Sequence, residues 1–288
     1  MIEDVVIIGA GPGGIAAAIQ LRRYGRMPFL LEKAHVGGLL VNANLVENYP
    51  GFPQGIPGAE LVGLFETHLR AAGVAVDYEE VLRLHFEETF IIQTSKRVLR
   101  SRIVVAASGT KPKEIDFPCE ASERIFYEVE PIAHVEGQRI VIIGAGDAAF
   151  DYALNLGRKN KVTILNRDQK SKCLPLLSER VRQTSGIVYR ENSRVRAINR
   201  AGEGVIVSYV SMSGECELQA DYVIFAIGRV PQTDYLAPRL KERVHELEQR
   251  GLLYFVGDIK NGIFRQTAIA VGDGVQAAMK IHRKLQEI

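Results

Sequence analysis

Two apolar stretches of the chain end in glycine-rich loops with the same spacing. The first, VVIIGAGPGGI, covers residues 5–15, and the second, IVIIGAGDAAF, covers residues 140–150, 135 residues further on. A buried strand followed by such glycines and a helix binds a pyrophosphate, because the backbone approaches it closely and the helix N-terminus offers free N–H groups. The sequence therefore predicts two dinucleotide sites.

The first loop has all the parts of a dinucleotide-binding unit. Gly9, Gly11 and Gly14 form the G-x-G-x-x-G pattern, and Pro12 lies within it. The stretch PFLLE follows the predicted helix and ends at Glu32, 23 residues after Gly9. A carboxylate at this place binds ribose hydroxyls. Lys33, the next residue, is included in the predicted site.

The second loop differs where the first has its carboxylate. Its motif residues are Gly144, Gly146, Asp147 and Ala149, and its next strand, KVTIL, leads to Asn166. An amide there does not repel a 2′-phosphate, and Arg167 and Lys172 follow it. These cations favour NADPH over NADH. Asp168 lies between these two cations in the sequence, and its negative charge disfavours a 2′-phosphate. Both NADPH and NADH therefore remain possible.

The repetition extends beyond the loops. Residues 90–110 alternate like paired strands and end in an apolar strand before Ser-Gly-Thr, and residues 205–229 have the same plan before Ile-Gly-Arg. We expect an α/β fold with two Rossmann-like dinucleotide-binding domains, each carrying an inserted β-meander. The second domain, residues 115–235, is predicted to be inserted between residues 1–114 and 236–288 of the first.

The bulk composition narrows the class of protein. The 288 residues are 47% apolar and 24% charged with a net charge of +2, which is ordinary for a globular protein and gives no indication of nucleic-acid binding. No apolar run reaches the roughly 18–20 residues of a membrane span, and Glu3 and Asp4 precede the first apolar run, unlike in a secretory signal. Three cysteines and six histidines lack metal-ligand spacing. We expect a cytoplasmic protein without a metal site.

Positive charge is concentrated in one segment. Residues 157–200 contain twelve lysines and arginines but only three acidic residues. Such a segment is either a solvated basic face or a surface for an anion or an acidic partner.

With these motifs in order, the chain resembles the low-molecular-weight thioredoxin reductases over nearly its whole length. The shared motifs include VENYPGFP at 46–53, GRVPQT at 228–233, and GD followed by FRQTAIAVGDG at 257–274. The resemblance implies a homodimer in which a hydride passes from NAD(P)H to FAD, so that each dinucleotide needs its own loop. It adds these FAD contacts to the first loop: Gly38, Leu39, Asn48, Val81, Gly109, Asp258, Arg265, Gln266, Thr267 and Ala268. It adds Arg229 to the NAD(P)H side, so that residues 1–114 and 236–288 bind FAD and residues 115–235 bind NAD(P)H.

The chain departs from this family at the redox disulfide. Thioredoxin reductases carry a Cys-x-x-Cys just ahead of the second loop, and the matching positions here are Tyr127 and Glu130. The related ferredoxin–NADP⁺ reductases of the same fold also lack these cysteines and have an aspartate like Asp147. They usually add a C-terminal flavin-stacking extension, whereas this sequence ends directly after its last predicted helix.

The leading hypothesis is an FAD-dependent oxidoreductase that passes electrons between NAD(P)H and an external carrier such as ferredoxin or flavodoxin. The alternatives are a disulfide or thiol reductase acting through Cys119 or a partner's cysteines, and a non-catalytic flavin- and nucleotide-binding sensor or subunit. No catalytic residue is assigned. Tyr127 is a core, interface or flavin-packing residue, and His134 is a proton-transfer candidate. LKERVHELEQR (240–250) reads as a solvated helix that replaces the family's hairpin, either as a surface deletion or as a reshaped partner site.

Overall fold

The computed structural model describes residues 2–287 and divides into two compact units. Unit 1 comprises residues 1–41, 46–111 and 230–288, and unit 2 comprises residues 42–45 and 112–229. The sequence places the domain boundaries slightly later, after residues 114 and 235. It did not anticipate that the short segment 42–45 groups with unit 2.

Unit 1 is built on a seven-stranded sheet. Its strands are β1 (Glu3–Ile8), β2 (Phe29–Glu32), β3 (Val76–Tyr78), β4 (Val81–Phe86), β5 (Phe90–Thr94), β6 (Val98–Ala106) and β17 (Leu253–Phe255). The order is β3-β2-β1-β6-β5-β4, with β17 also paired to β6. Strands β3, β2, β1 and β6 are parallel to one another, whereas β4, β5 and β6 form an antiparallel meander. Strand β6 belongs to both parts.

Four α-helices among the described residues belong to this unit. They are α1 (Pro12–Arg23), α2 (Gly58–Ala71), α5 (Pro238–Gln249) and α6 (Thr267–Lys284). Helices α1 and α6 pack against the face of β1 and β6 that carries Val5, Ile7 and Val105. The opposite face carries Val6, Ile8 and Val104, and α5 packs there through Leu240 and Leu247. Strands buried on both faces explain why β1 reads as a continuous apolar run.

Unit 2 repeats the parallel arrangement on a smaller scale. Its elements are β8 (Ile125–Phe126), β9 (Arg139–Ile143), α3 (Asp147–Leu156), β10 (Lys161–Leu165), α4 (Pro175–Gln183), β11 (Ile187–Arg190), β12 (Arg194–Ala201), β13 (Gly204–Ser211), β14 (Gly214–Ala220) and β15 (Tyr222–Phe225). One sheet has the order β11-β10-β9-β15-β8, and β12, β13 and β14 form a separate antiparallel sheet. Short linker strands β7 (Thr110–Pro112) and β16 (Arg229–Pro231) pair with each other.

The two meanders join their parallel sheets differently. In unit 1, β6 runs without a break from the meander into the parallel sheet. In unit 2, Asp221 separates β14 from β15, and its carboxylate accepts hydrogen bonds from the backbone N–H and the guanidinium of Arg139. The break leaves the unit 2 meander as its own sheet.

Helix α5 is amphipathic rather than fully solvated. Leu240 and Leu247 are buried, whereas Arg243, Glu246 and Arg250 form ion pairs on its exposed side. Among residues 2–287, no helix is long and apolar enough to cross a membrane. The same described residues contain no cluster of three or more metal-ligating side chains.

Candidate functional site

The first glycine loop joins β1 to α1 at the carboxyl edge of the unit 1 sheet. Gly9 has a φ of +103°, and a Cβ on it would lie 2.5 Å from the carbonyl oxygen of Ala107. A Cβ on Gly14 would overlap the carbonyl oxygen of Gly9. The loop therefore needs glycine at both positions, one for its turn and one for the close packing of the helix on the strand.

Open space lies in front of α1, where the resemblance places a pyrophosphate. Gly11 precedes the helix in an extended conformation, Pro12 is its first residue, and a Cβ on Gly11 would meet no described atom within 4 Å. The missing N–H of Pro12 costs nothing at a helix start. The loop fits an FAD pyrophosphate, because the space beside Gly11 is open and the first N–H groups of a helix have no partner within it.

Glu32 ends β2 as the sequence predicts and lies beside this loop. Its carboxylate accepts hydrogen bonds from the backbone N–H of Ala10, at 2.7 Å, and of Ala34, at 3.0 Å. The side chain is thereby fixed at the carboxyl edge, and Lys33 follows it on the surface. Two acceptor oxygens held in this way suit a ribose with two adjacent hydroxyls.

The other predicted FAD contacts of unit 1 surround the same edge. Gly38 and Leu39 lie in a 3₁₀ helix (Gly38–Asn42), and a Cβ on Gly38 would lie 3.6 Å from the Cα of Gly11. Asn48 Nδ2 donates to Gln266 Oε1 at 2.9 Å, which joins two predicted contacts far apart in sequence.

The last part of the chain supplies a turn and a helix start. Asp258 lies in a 3₁₀ turn (Gly257–Ile259) directly after β17. Gln266 precedes α6, and Thr267 and Ala268 are the first residues of the helix, with Arg265 half-buried just before it.

The two remaining predicted FAD contacts lie elsewhere in unit 1. Val81 begins β4, and the carbonyl oxygen of Gly109 accepts a hydrogen bond from the N–H of Gln232.

The second loop has the same backbone geometry in unit 2. The N–H of Gly144 donates to Leu165 O, as that of Gly9 donates to Leu31 O. Gly144 has a φ of +131°, and a Cβ on Gly146 would again meet no described atom within 4 Å. Ala149 is fully buried in α3 where the first loop has Gly14, so a methyl group is accommodated at this position in the second loop.

Asn166 takes the place of the carboxylate and is used internally. Its Nδ2 donates to Tyr189 Oη at 2.8 Å and to the carbonyl of Lys170, and its Oδ1 accepts from the N–H of Asp168. Arg167 and Lys172 are mostly exposed, and each has a nitrogen 3.9 Å from the Asp168 carboxylate. The two predicted phosphate ligands therefore share one acidic neighbour.

The segment that carries Lys172 is fastened to the second loop. The N–H of Lys172 donates to Ala145 O at 2.8 Å, and the N–H of Leu174 donates to Asp147 Oδ1 at 2.8 Å. Asp147 is a predicted nucleotide contact, and in the structure one of its carboxylate oxygens holds this segment. The sequence offered no signal for this, since the two residues are 27 positions apart.

The stretch at the cysteine positions is well packed within unit 2. Tyr127 lies 5.7 Å from the ring of Phe225, and burial raises its pKa. Glu128 pairs with Arg229 at 3.4 Å. The N–H groups of Val129 and Glu130 both donate to Asn42 Oδ1, at 3.1 and 2.9 Å. Each residue of this tetrapeptide thus has a partner, and Arg229 is held by an acid that the sequence did not indicate.

The three cysteines are free thiols. Burial raises the pKa of Cys119, which favours the thiol over the reactive thiolate. Hydrogen bonds from Ser211 and Ser213 lower the pKa of Cys216, on the meander of unit 2. Cys173 packs partly against the core of α3 and β10.

The basic segment is partly neutralised. Lys159 pairs with Glu136, Arg182 with Glu179, and Arg200 with Glu123. Arg194 and Arg196 point outward on alternate positions of β12. The local excess of positive charge is therefore smaller than the residue count suggests.

Comparison with known proteins identifies the family. Residues 3–274 match the pyridine nucleotide-disulphide oxidoreductase family. The chain belongs to this family.

Several relatives carry the comparison further. The thioredoxin reductase of Bacillus subtilis (strain 168) is 29% identical, over 100% of this chain and 96% of that protein. The crystal structure of T. acidophilum thioredoxin reductase is 30% identical with a TM-score of 0.86, covering 98% of both chains. A "34.2 kDa protein in rubredoxin operon" of Clostridium pasteurianum is 28% identical over 96% of this chain and 94% of its own length.

These matches confirm the resemblance and the predicted fold class. The protein is a thioredoxin reductase-like flavoprotein oxidoreductase that uses FAD and a nicotinamide nucleotide. No Cys-x-x-Cys occurs anywhere in its sequence.

Proposed function

We propose that the protein passes electrons from NADPH through FAD to an external one-electron carrier, such as ferredoxin or flavodoxin, without an internal dithiol. The first loop, Glu32, the Gly38 region, Asn48, Asp258 and the start of α6 hold FAD, and the second loop holds the nicotinamide nucleotide. Bound FAD supplies the redox chemistry, since it accepts a hydride and can release electrons singly.

One observation carries this proposal. The tetrapeptide at the cysteine positions, residues 127–130, contains no thiol. It is held by the Asn42 amide and by the Glu128–Arg229 pair, so it is a fixed structural element. The absence of a thiol at these positions supports an acceptor outside this chain.

Two further observations support a carrier protein. The 157–200 segment is basic, and electron carriers of the ferredoxin and flavodoxin type are acidic, so charge would steer them to this face. The Clostridium relative is named for its place in a rubredoxin operon, which favours a small iron protein as partner.

Anaerobic rapid-mixing experiments test the proposal. The FAD-loaded protein is mixed with NADPH, and bleaching of the flavin band is followed. The reduced protein is then mixed with ferredoxin, flavodoxin, rubredoxin, or thioredoxin disulfide. We expect reoxidation by at least one of the first three and none by thioredoxin. Efficient reoxidation by thioredoxin alone would contradict the proposal.

A disulfide reductase remains the second candidate, because the curated relatives include thioredoxin reductases. Cys119 lies near Tyr127 and is the candidate thiol of this route, but burial raises its pKa, which argues against that role. Cys119→Ser should leave the turnover of any disulfide substrate within about twofold of the wild type. A loss of turnover in this variant, with Cys173→Ser unaffected as the control, would favour the thiol route.

A non-catalytic sensor is the third candidate. It predicts that neither NADPH nor NADH bleaches the flavin in the same anaerobic experiment. The homodimer, which the family resemblance implies, and the cytoplasmic location, which the composition suggests, belong to the leading proposal. Light scattering of the FAD-loaded protein at twice 31.9 kDa would support the dimer.

A further inference from the structure

The turn that carries Asp258 is closed by a ring of hydrogen bonds. The N–H of Gly257 donates to Asp273 Oδ2 at 3.0 Å. Asn261 Nδ2 donates to the same oxygen at 2.7 Å and to the carbonyl oxygen of Gly257 at 3.0 Å. Both backbone groups of Gly257 are thus held by two side chains that also hold each other.

The ring has a rigid support. Asp273 lies in α6, and its side chain is only 16% exposed. A Cβ on Gly274, the next residue, would overlap the carbonyl oxygen of Gly13 in α1, so the helix is seated directly on the first nucleotide helix. Gly257 itself has a φ of +74° and faces the Cβ of Ala270. The position of the turn is therefore set by α6, which packs directly on α1.

A charge is also present but is peripheral. Lys260 Nζ lies 3.0 Å from Asp273 Oδ1, and its side chain is 39% exposed. Exposed ion pairs contribute little, whereas hydrogen bonds from partly buried groups to a carboxylate contribute more. The oxygen that joins Gly257 and Asn261 is the important one.

We propose that Asp273 and Asn261 are positioning residues for FAD. They fix the peptide of Gly257 and thereby the direction of the neighbouring Asp258, without touching the flavin themselves. The inference rests on the proposed flavin site and holds whichever acceptor takes the electrons.

Three variants separate the hydrogen bonds from the charge. Asp273→Ala removes both, Asp273→Asn keeps an oxygen that can accept from Gly257 and Asn261, and Lys260→Ala removes the ion pair alone. Apoprotein of each is titrated with FAD and followed by quenching of flavin fluorescence. NADP⁺ binding is measured on the same samples, because the second loop lies in unit 2 and should not respond.

We expect Asp273→Ala to raise the Kd of FAD about ten- to a hundredfold, because the two hydrogen bonds to its Oδ2 are lost. The other two variants should stay within about threefold of the wild type, and NADP⁺ binding should be unchanged throughout. Unchanged FAD affinity in Asp273→Ala would overturn the inference, and so would a loss in Asp273→Asn as large as in Asp273→Ala.

If Asp273→Ala does not fold, Asn261→Ala decides the matter. It opens the ring but leaves Asp273 bonded to Gly257, so we expect a weakening of FAD binding of about tenfold and a shift of the bound flavin's absorption bands. Wild-type affinity and spectrum in this variant would overturn the inference. Failure of the wild-type apoprotein to bind FAD would instead overturn the proposed flavin site.

Discussion

At the scale of single residues, the second loop shows why a charge count does not settle nucleotide choice. Arg167 and Lys172 were predicted to hold a 2′-phosphate, and the structure places both beside Asp168. A carboxylate there repels a phosphate and competes for the same cations. Preference for NADPH therefore depends on how far Asp168 offsets its two neighbours.

Replacing Asp168 by Asn should strengthen NADPH binding. The carboxylate that competes with the phosphate is removed, so the half-saturation for NADPH should fall about two- to tenfold, while that for NADH changes little. Flavin reduction under anaerobic conditions measures both values. Glu215→Gln on β14 serves as a control for a general change in charge. An equal change for both nucleotides would show that the basic residues serve another anion.

At the scale of elements, the contact of α1 with α6 is made by backbone. Gly274 in α6 lies against Gly13 of α1, and a side chain at Gly274 would overlap the carbonyl oxygen and meet the N of Ala17 at 2.9 Å. Gly272 lies in the same helix, and a Cβ there would meet no described atom within 4 Å. The helix contact therefore requires glycine at position 274, whereas position 272 has room for a side chain.

Gly274→Ala should destabilise the apoprotein by about 1–3 kcal/mol, because the helices must move apart to admit a methyl group. Gly272→Ala should be neutral or stabilise by up to about 1 kcal/mol, since alanine favours the helix. Urea unfolding of both apoproteins, followed by circular dichroism, measures the difference. Equal midpoints for the two variants would contradict the close helix contact.

A second element-level prediction concerns the turn between β5 and β6. Burial raises the pKa of Glu79, but hydrogen bonds from Thr94 at 2.6 Å and from Arg97, whose Nη2 lies at 2.7 Å, outweigh it and lower the pKa. A carboxyl whose folded pKa is lowered stabilises the fold above its unfolded value, near 4.5, and loses this contribution as pH falls.

Glu79→Gln should therefore destabilise the protein more at pH 7 than at pH 3.5. Urea midpoints of wild type and variant at the two pH values provide the measurement. The exposed Glu88→Gln, in the nearby turn after β4, is the matched control and should show little difference at either pH. A gap between wild type and Glu79→Gln that widens on acidification would contradict the assignment.

The elements that the sequence predicted are those with a local signal. The glycine loops, β1, β9 and the alternating strands of both meanders follow from spacing and periodicity. The ring at Gly257 and the bond from Leu174 to Asp147 have no such signal, because each joins groups that are distant in sequence. Helix α5 reads as solvated because charges outnumber Leu240 and Leu247, which nevertheless bury one side.

At the scale of the whole molecule, the chain uses one nucleotide-binding plan twice and carries its charge unevenly. Its net charge is only +2, although residues 157–200 have twelve basic residues against three acidic ones. Ion pairs such as Lys159–Glu136 neutralise part of this excess, whereas Arg194 and Arg196 remain exposed on β12. An acidic carrier would be attracted to unit 2 by what is left.

Electron transfer to such a carrier should depend on salt. Attraction between exposed charges is screened over about 10 Å at 0.1 M ionic strength, so the second-order rate of ferredoxin reduction should fall as salt rises. Reduction of menadione, which is uncharged, should not change.

Reversing exposed charges on unit 2 tests the same attraction. Arg194→Glu combined with Arg196→Glu should slow the reduction of ferredoxin severalfold at low salt and leave the reduction of menadione unaffected. Arg239→Glu combined with Lys241→Glu, two exposed changes of the same sign and size on α5 of unit 1, should have a smaller effect. Equal slowing by both charge reversals would mean that net charge, rather than the unit 2 surface, attracts the carrier.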